Sequence, residues 1–209
     1  MSKHPVLTAL FSLCAAFLWQ GAAMAAHPTP IQTGGPSLAG QLLVATPELQ
    51  DPNFRHTVVY VVEHNDRGAL GLVINRTIGS GPLGKLLAGL GVDEGAEGET
   101  VVSIHEGGPV ERNRGFVLHS ADYRRDHRVV FEEIAALSNP SEQLPEIALE
   151  LGTHQGLIAF GYAGWGAQQL EGEIAQGSWF AIEADEALLF DDAIATKWRR
   201  ALALRGFEL

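Results

Sequence analysis

The chain has 209 residues, a formal net charge of −11 and 46% hydrophobic residues. That length suits one domain with a substantial core, and the composition is that of a folded acidic protein, not a disordered one. With 14 Lys and Arg against 25 Asp and Glu, it lacks the clustered cations that phosphate-backbone binding requires, so no nucleic acid partner is expected.

Residues 1–25 read as a cleavable export signal. Lys3 opens the segment, Val6 to Leu18 is interrupted only by small hydroxyl side chains and Cys14, and Ala23-Met24-Ala25 places small residues two apart. The apolar run is too short to span a bilayer comfortably, so no membrane span is expected once the signal is removed. Leu13 precedes Cys14 where a lipoprotein site wants a small residue. Cutting after Ala25 implies a periplasmic or secreted protein and removes Cys14, the one cysteine. Disulfides, thiol catalysis and cysteine-ligated metals are then excluded. The competing reading is a cytoplasmic protein that starts at Met24. Residues 26–37 are rich in Pro, Gly and Thr and read as a flexible lead-in; a single domain is expected over 38–209.

Gln41 to Ala45 predicts a strand, and Pro47 and Asp51-Pro52 a turn. Thr57 to Glu63 is a nearly continuous β-branched and aromatic run, the pattern of a strand buried on both faces. Asn65, Asp66 and Gly68 predict a turn and Ala69 to Asn75 the next strand, a hairpin with a longer loop. Gly79 to Gly91 reads as a turn, then a short helix with Leu83, Leu86, Leu87 and Leu90 at helical spacing. An acidic loop over Asp93 to Thr100 follows. Val101 to His105 and Gly115 to His119 predict strands joined by a Glu106–Arg114 turn, and Arg128 to Phe131 a further one. A helix through Leu144, Ile147, Ala148 and Leu151 comes next. Leu157 to Tyr162 predicts a buried strand, Ala167 to Gln176 a short helix and Ser178 to Ile182 a strand. The last helix starts near Asp191 and Asp192, buries Ile194, Trp198 and Leu202, and carries Lys197, Arg199 and Arg200 later, as the helix dipole favours. Gly206 ends it. Without a strict βαβ rhythm, the mixture points to an α+β fold.

Several constellations invite chemistry. Glu63-His64-Asn65-Asp66 contains borderline metal ligands and proton-transfer groups, but alternation sends His64 to the side opposite Glu63 and Asn65, and hydrogen bonding of the turn is the simpler role. His105-Glu106-Gly107-Gly108-Pro109 lacks the second histidine of a zinc-protease helix; its glycines suit a tight turn or close approach by a ligand. Gly79 to Leu86 nearly matches a phosphate-binding loop, yet Leu86 stands where a hydroxyl must reach Mg²⁺ and Pro82 removes an amide. Gly161 to Gly166 has the wrong glycine spacing for a dinucleotide turn. Its Tyr162 and Trp165 serve either a pocket or the core.

Ordered blocks along the chain resemble the YqgE/AlgH family of bacterial proteins. They are Leu38 to Pro47, Asp51 to Arg76, Gly107-Gly108-Pro109-Val110 with Arg114 to His119, Gly161 to Gly166, and Gln169 to Ile174 with Trp179. The resemblance implies an α+β fold whose mixed, bifurcated sheet curls into a pseudo-barrel with flanking helices. It supplies no established activity, cofactor or catalytic residue, although members are often labelled transcriptional regulators. The expectation is a non-catalytic binding or regulatory domain without a cofactor, facing an unknown small molecule or protein. Its candidate binding edge is Glu63, His64, Asn65, Gly107, Gly108, Pro109, His119, Tyr162, Gly164 and Trp165, three Gly-rich turns beside strand ends. Two alternatives stand beside it. One is a hydrolase or metal enzyme using His64, His105, His119, Glu63 and Glu106. The other is a transcriptional regulator acting without direct DNA contact.

Overall fold

The strands of the N-terminal half build two cores at once. Successive side chains of a strand point to opposite faces. Leu42, Val44, Val58, Tyr60 and Val62 therefore enter one buried cluster, and Leu43, Ala45, Val59 and Val61 the other. The computed structural model describes residues 36–82, 84–85, 101–120, 129–131, 135–138 and 156–206. The expected export signal, most of the lead-in, the Leu83–Leu90 helix, the acidic loop and the Leu144–Leu151 helix lie outside the described residues.

In chain order the elements are β1 (Gln41–Ala45), β2 (Val58–Asn65), β3 (Gly68–Val73), β4 (Thr77–Pro82), β5 (Val101–Glu106), β6 (Val110–Ser120), β7 (Val129–Phe131), β8 (Ala135–Ser138), β9 (Gly156–Gly166), α1 (Gln169–Ala175), β10 (Trp179–Glu183), α2 (Glu186–Phe190) and α3 (Ile194–Ala203). Among the described residues ten strands form one mixed sheet, with eight on the path β10-β1-β2-β3-β9-β6-β8-β7 and β5 and β4 branching from β9. Only the β5–β9 pair is parallel among the described ladders. The C-terminal part of β9, from Ala163, pairs with β3, while Ile158 to Phe160 pair with β5 on one edge and β6 on the other. This is the α+β, bifurcated sheet that the resemblance implies. Its end strands β10 and β7 do not pair, so hydrogen bonding does not close it into a barrel.

Helices cover both faces. Leu188 and Leu189 of α2 and Ala201 and Leu202 of α3 join the first cluster, whereas Leu170 of α1 joins the second. Asp185 caps α2, its Oδ1 accepting the Leu188 N–H at 2.7 Å. Before α3, Asp191 Oδ1 accepts the N–H of Ala193, the residue that precedes the helix, at 3.1 Å; no side chain caps the helix itself. Trp198 fastens α3 to the sheet, its Nε1 donating to the Ala45 carbonyl at 2.7 Å. None of the described helices is long and apolar enough to cross a membrane.

Several sequence expectations are corrected. The β2–β3 hairpin is tight: Asn65 pairs with Gly68, leaving only Asp66 and Arg67 in the loop. Thr77 to Pro82 is a strand held by β5, not the start of a turn, because pairing overrides the weak strand preference of Gly79 and Gly81. β6 begins at Val110, so the turn before it spans only Gly107 to Pro109, with irregular pairing between Val110 and Gly115. β8 and α2, both short, were not expected. β9 continues through Gly166, so the Gly161–Gly166 block is strand interior and not a turn.

Candidate functional site

The Asp51–Arg76 stretch fixes a loop. Asp51 accepts the backbone N–H groups of Phe54 and Arg55, and its Oδ1 that of Asn53. The Arg76 guanidinium donates to the carbonyls of Asn53, Pro52 and Arg55, and Asn75 donates to that of His56. The loop carries Phe54 against Trp165 and Trp179, with ring centroids 6.3 and 5.6 Å apart. One guanidinium thus ties together three carbonyls of this exposed loop.

Within that stretch His64 acts as a clamp. Its Nδ1 accepts the Leu38 N–H at 3.0 Å, so the ring proton sits on Nε2, which meets Glu171 Oε1 of α1 at 3.0 Å. Glu63 accepts from the Asn65 amide, and Asn65 Oδ1 accepts the Arg67 N–H at 2.9 Å. These bonds occupy both ring nitrogens and tie the hairpin end to the chain entry and to α1.

The glycines of the candidate edge meet backbone. A Cβ on Gly107 would lie 2.3 Å from the Gly161 carbonyl oxygen, and one on Gly108 (φ +153) 2.2 Å from the Tyr162 carbonyl carbon. Gly161 (φ +75) has the reciprocal contact, 2.4 Å from the Gly108 oxygen. The Gly107 N–H donates to Phe160 and its carbonyl accepts the Val73 N–H, at 2.8 and 2.9 Å. This block therefore seals the point where β3 and β5 diverge along β9. Pro109 follows it half-buried, and Gly164 is exposed. Tyr162 packs on Phe116, centroids 6.0 Å apart. Trp165 is 6% exposed and its Nε1 donates to Glu173 Oε2 at 3.0 Å; Trp179 Nε1 reaches the same oxygen at 2.8 Å. An open depression of about 180 Å³ beside the hairpin touches Glu63, Asn65, Gly68 and Trp165. Gly107 and Gly108 thus sit against Gly161 and the hairpin end against Trp165 and Gly166, whereas buried His119 pairs with Gly156 at the opposite end of β9 and does not join them.

The histidines and glutamates of the enzyme alternative do not gather. His64 pairs with Glu171, Glu106 lies 3.8 Å from Arg112, and buried His119 bonds the Ser120 carbonyl through Nδ1 at 2.9 Å. No three His, Cys, Asp or Glu among the described residues are arranged to hold a metal ion.

His105 has a different setting. It is 4% exposed, and its Nδ1 is buried without a hydrogen-bond partner among the described residues. It lines a cavity of about 140 Å³ walled by β5, the start of β9, and α2 with α3; Lys197, Asp191 and Asp192 are the other ionisable groups there. Lys197 is 1% exposed; its Nζ donates to the Leu189 carbonyl at 2.9 Å and lies 3.8 Å from Asp191 Oδ1. The other Asp191 oxygen is bound by Arg200. Asp192 is exposed, so it stands where the cavity meets solvent.

Burial lowers the His105 imidazole from 6.5 to about 4; Lys197 pushes it the same way and Asp192 opposes. Burial also lowers the Lys197 amine from 10.5 to about 8, with Asp191 and Asp192 holding it up and Arg200 pressing it down. Lys197 does not join Arg199 and Arg200 on the solvent side as its dipole-favoured place suggests. A signal for this exists: Ile194, Lys197 and Ala201 are spaced i, i+3, i+7, which puts the lysine on the buried stripe.

The sequence profile of the family described as AlgH-like matches residues 42–209. A UPF0301 protein of Methylococcus capsulatus is 42% identical over 183 residues, 88% of this chain and 100% of its own length. One of Beijerinckia indica is 39% identical, covering 85% of this chain and 90% of its own. The solution structure of the AlgH protein from Pseudomonas aeruginosa superposes with a TM-score of 0.68 at 38% identity, over 88% of this chain and 94% of that one. A Corynebacterium diphtheriae protein, at 17% identity and a TM-score of 0.64 over 82% of this chain and 88% of that one, shares the fold alone. The chain belongs to the AlgH-like family.

Proposed function

We propose that this protein is a binding domain for a small, uncharged molecule bearing a hydrogen-bond-accepting oxygen, held in the cavity between β5, β9, α2 and α3. The observation that carries this reading is the Nδ1 of His105, buried without a hydrogen-bond partner among the described residues, on a residue that lines the same cavity as Lys197. Buried polar atoms without a partner are rare and mark a place where water or a ligand completes the bonding. In the Nδ1–H tautomer His105 donates, and Lys197 has further N–H donors beyond the one given to Leu189. Charge selects the ligand. Asp191 faces Lys197, and Asp192 stands exposed at the cavity, so an anion gains little from the lysine and meets a carboxylate on entry. The cavity, at about 140 Å³, resembles in size one that takes benzene (~150 Å³), which limits the ligand to a few heavy atoms.

Titration with acetamide, acetone and acetate, followed by NMR of the histidine rings and lysine side chains, tests this. Saturable shifts at His105 and Lys197 with the two neutral probes, weaker with acetate and lost in His105→Leu, are expected. Absence of any saturable shift at these residues, or equal shifts in His105→Leu, refutes the reading.

A further inference from the structure

Three lysines occur in the whole chain, Lys3, Lys85 and Lys197, beside eleven arginines. Lys197 is the one on the buried stripe of α3, next to Arg199 and Arg200. Lysine and arginine differ in one property that matters inside a protein: only the lysine amine loses its proton at accessible pH and becomes a nucleophile. A cation needed merely to meet Asp191 is already supplied by Arg200. Lys197 instead lines a cavity that His105 also lines, and the His105 Nδ1 has no hydrogen-bond partner among the described residues.

We propose that the Lys197 amine forms a reversible imine with a small uncharged aldehyde or ketone whose oxygen is held by His105. The inference rests on the binding reading above and names the oxygen as a carbonyl oxygen. The amine lone pair attacks the carbonyl carbon and the N–C bond forms. The proton shed by nitrogen passes to the oxygen, with the His105 Nδ1–H bonded to that oxygen as negative charge builds on it, giving a carbinolamine. The second amine proton then accompanies the hydroxyl as the C–O bond breaks; water leaves and C=N remains. One water is released, no electrons change hands, and the reverse reaction returns the free amine. Desolvation favours the neutral amine at this position. With the amine near pKa 8, free base at pH 7 is about 300-fold more abundant than for an exposed lysine, an advantage that restricted access and lower basicity reduce.

The structural alternative is that Lys197 only caps the last carbonyls of α2 through Leu189. Reductive trapping separates the two. The full chain is exposed briefly at pH 7 to acetaldehyde with cyanoborohydride, and alkylation is mapped by peptide mass spectrometry. Lys85, which is exposed, is the internal reference. The proposal expects Lys197 to be alkylated about tenfold faster than Lys85. It also expects acetamide to protect Lys197 but not Lys85, and His105→Leu to slow trapping at Lys197 alone. If Lys85 is modified first and Lys197 stays free while acetamide still shifts the His105 resonances, the imine inference falls and the binding reading stands. If the acetamide shifts are absent as well, both fall. The decisive comparison uses the unmutated chain and survives any folding defect of a variant.

Discussion

Replacing His105 should change how stability depends on pH more than how much stability there is at pH 7. In the folded chain burial holds the imidazole near 4, against 6.5 for the free side chain. Between those values the unfolded chain binds a proton that the folded chain refuses. Stability therefore rises with pH across this window, and it falls as pH drops from 6.5 towards 4. At 1.36 kcal/mol per pH unit, the separation is worth about 3 kcal/mol at full protonation. The residue is only 4% exposed, so solvent screening removes little of it. Lys197 works in the same direction and Asp192 against it.

His105→Leu removes both the titration and the unpartnered nitrogen. At pH 7 the variant should be as stable as the parent or more so by about 1 kcal/mol, because an orphaned buried polar atom is lost. Urea unfolding at pH 7, 6, 5 and 4 gives the difference between the two proteins at each pH, in which carboxylate titrations common to both cancel. That difference should grow by about 3 kcal/mol in favour of the variant between pH 7 and pH 4. A difference constant within about 0.5 kcal/mol would show that the imidazole is solvated and that the cavity is not a dry, polar site.

Other perturbations test the frame. Gly108→Ala and Gly161→Ala force a methyl group onto backbone atoms at positive φ and should each cost about 3 kcal/mol or more in urea unfolding. Gly79→Ala, with nothing within 4 Å, should stay within about 0.5 kcal/mol of the parent. Glu173→Ala leaves the indole N–H groups of Trp165 and Trp179 unpaired; a loss of about 2–4 kcal/mol with a shifted tryptophan emission is expected, and unchanged emission would count against the shared acceptor. His64→Leu removes the acceptor for the Leu38 amide, which should then exchange at least tenfold faster by NMR at a cost of about 1 kcal/mol. If residues 1–25 direct export, N-terminal sequencing of fractionated cells should find a mature chain beginning at Ala26 in the periplasm; a cytoplasmic chain beginning at Met24 rules this out.

Much of the fold was legible because β1, β2 and α3 write their burial into their spacing. Thr57 to Glu63 is apolar without alternation because both faces are covered, and the structure divides its side chains between two clusters. What was not legible depends on partners far away in sequence. Gly161 to Gly166 reads as a breaker by composition, yet it is strand because β3 and β6 hold it. Its glycine at 161 answers Gly108, more than fifty residues earlier, and local reasoning has no access to that contact. The cavity was half visible. His105 stood out as an ionisable residue, but its Nδ1 matters only because nothing described bonds it. Lys197 was assigned by charge when its helical phase with Ile194 and Ala201 pointed inward.

The blocks that carry the family resemblance and the residues that line the cavity are separate parts of this chain. Asp51 to Arg76 fixes a loop, Gly107-Gly108 and Gly161 let two backbones touch, and Gln169 to Ile174 with Trp179 supplies Glu173 and an indole it binds. Each of these roles is architectural and explains why such a sequence folds this way. His105 and Lys197 lie outside every one of the blocks. The chemistry of this protein is accordingly to be sought by comparing Lys197 with Lys85 in the same molecule, where the frame is held constant and only the cavity differs.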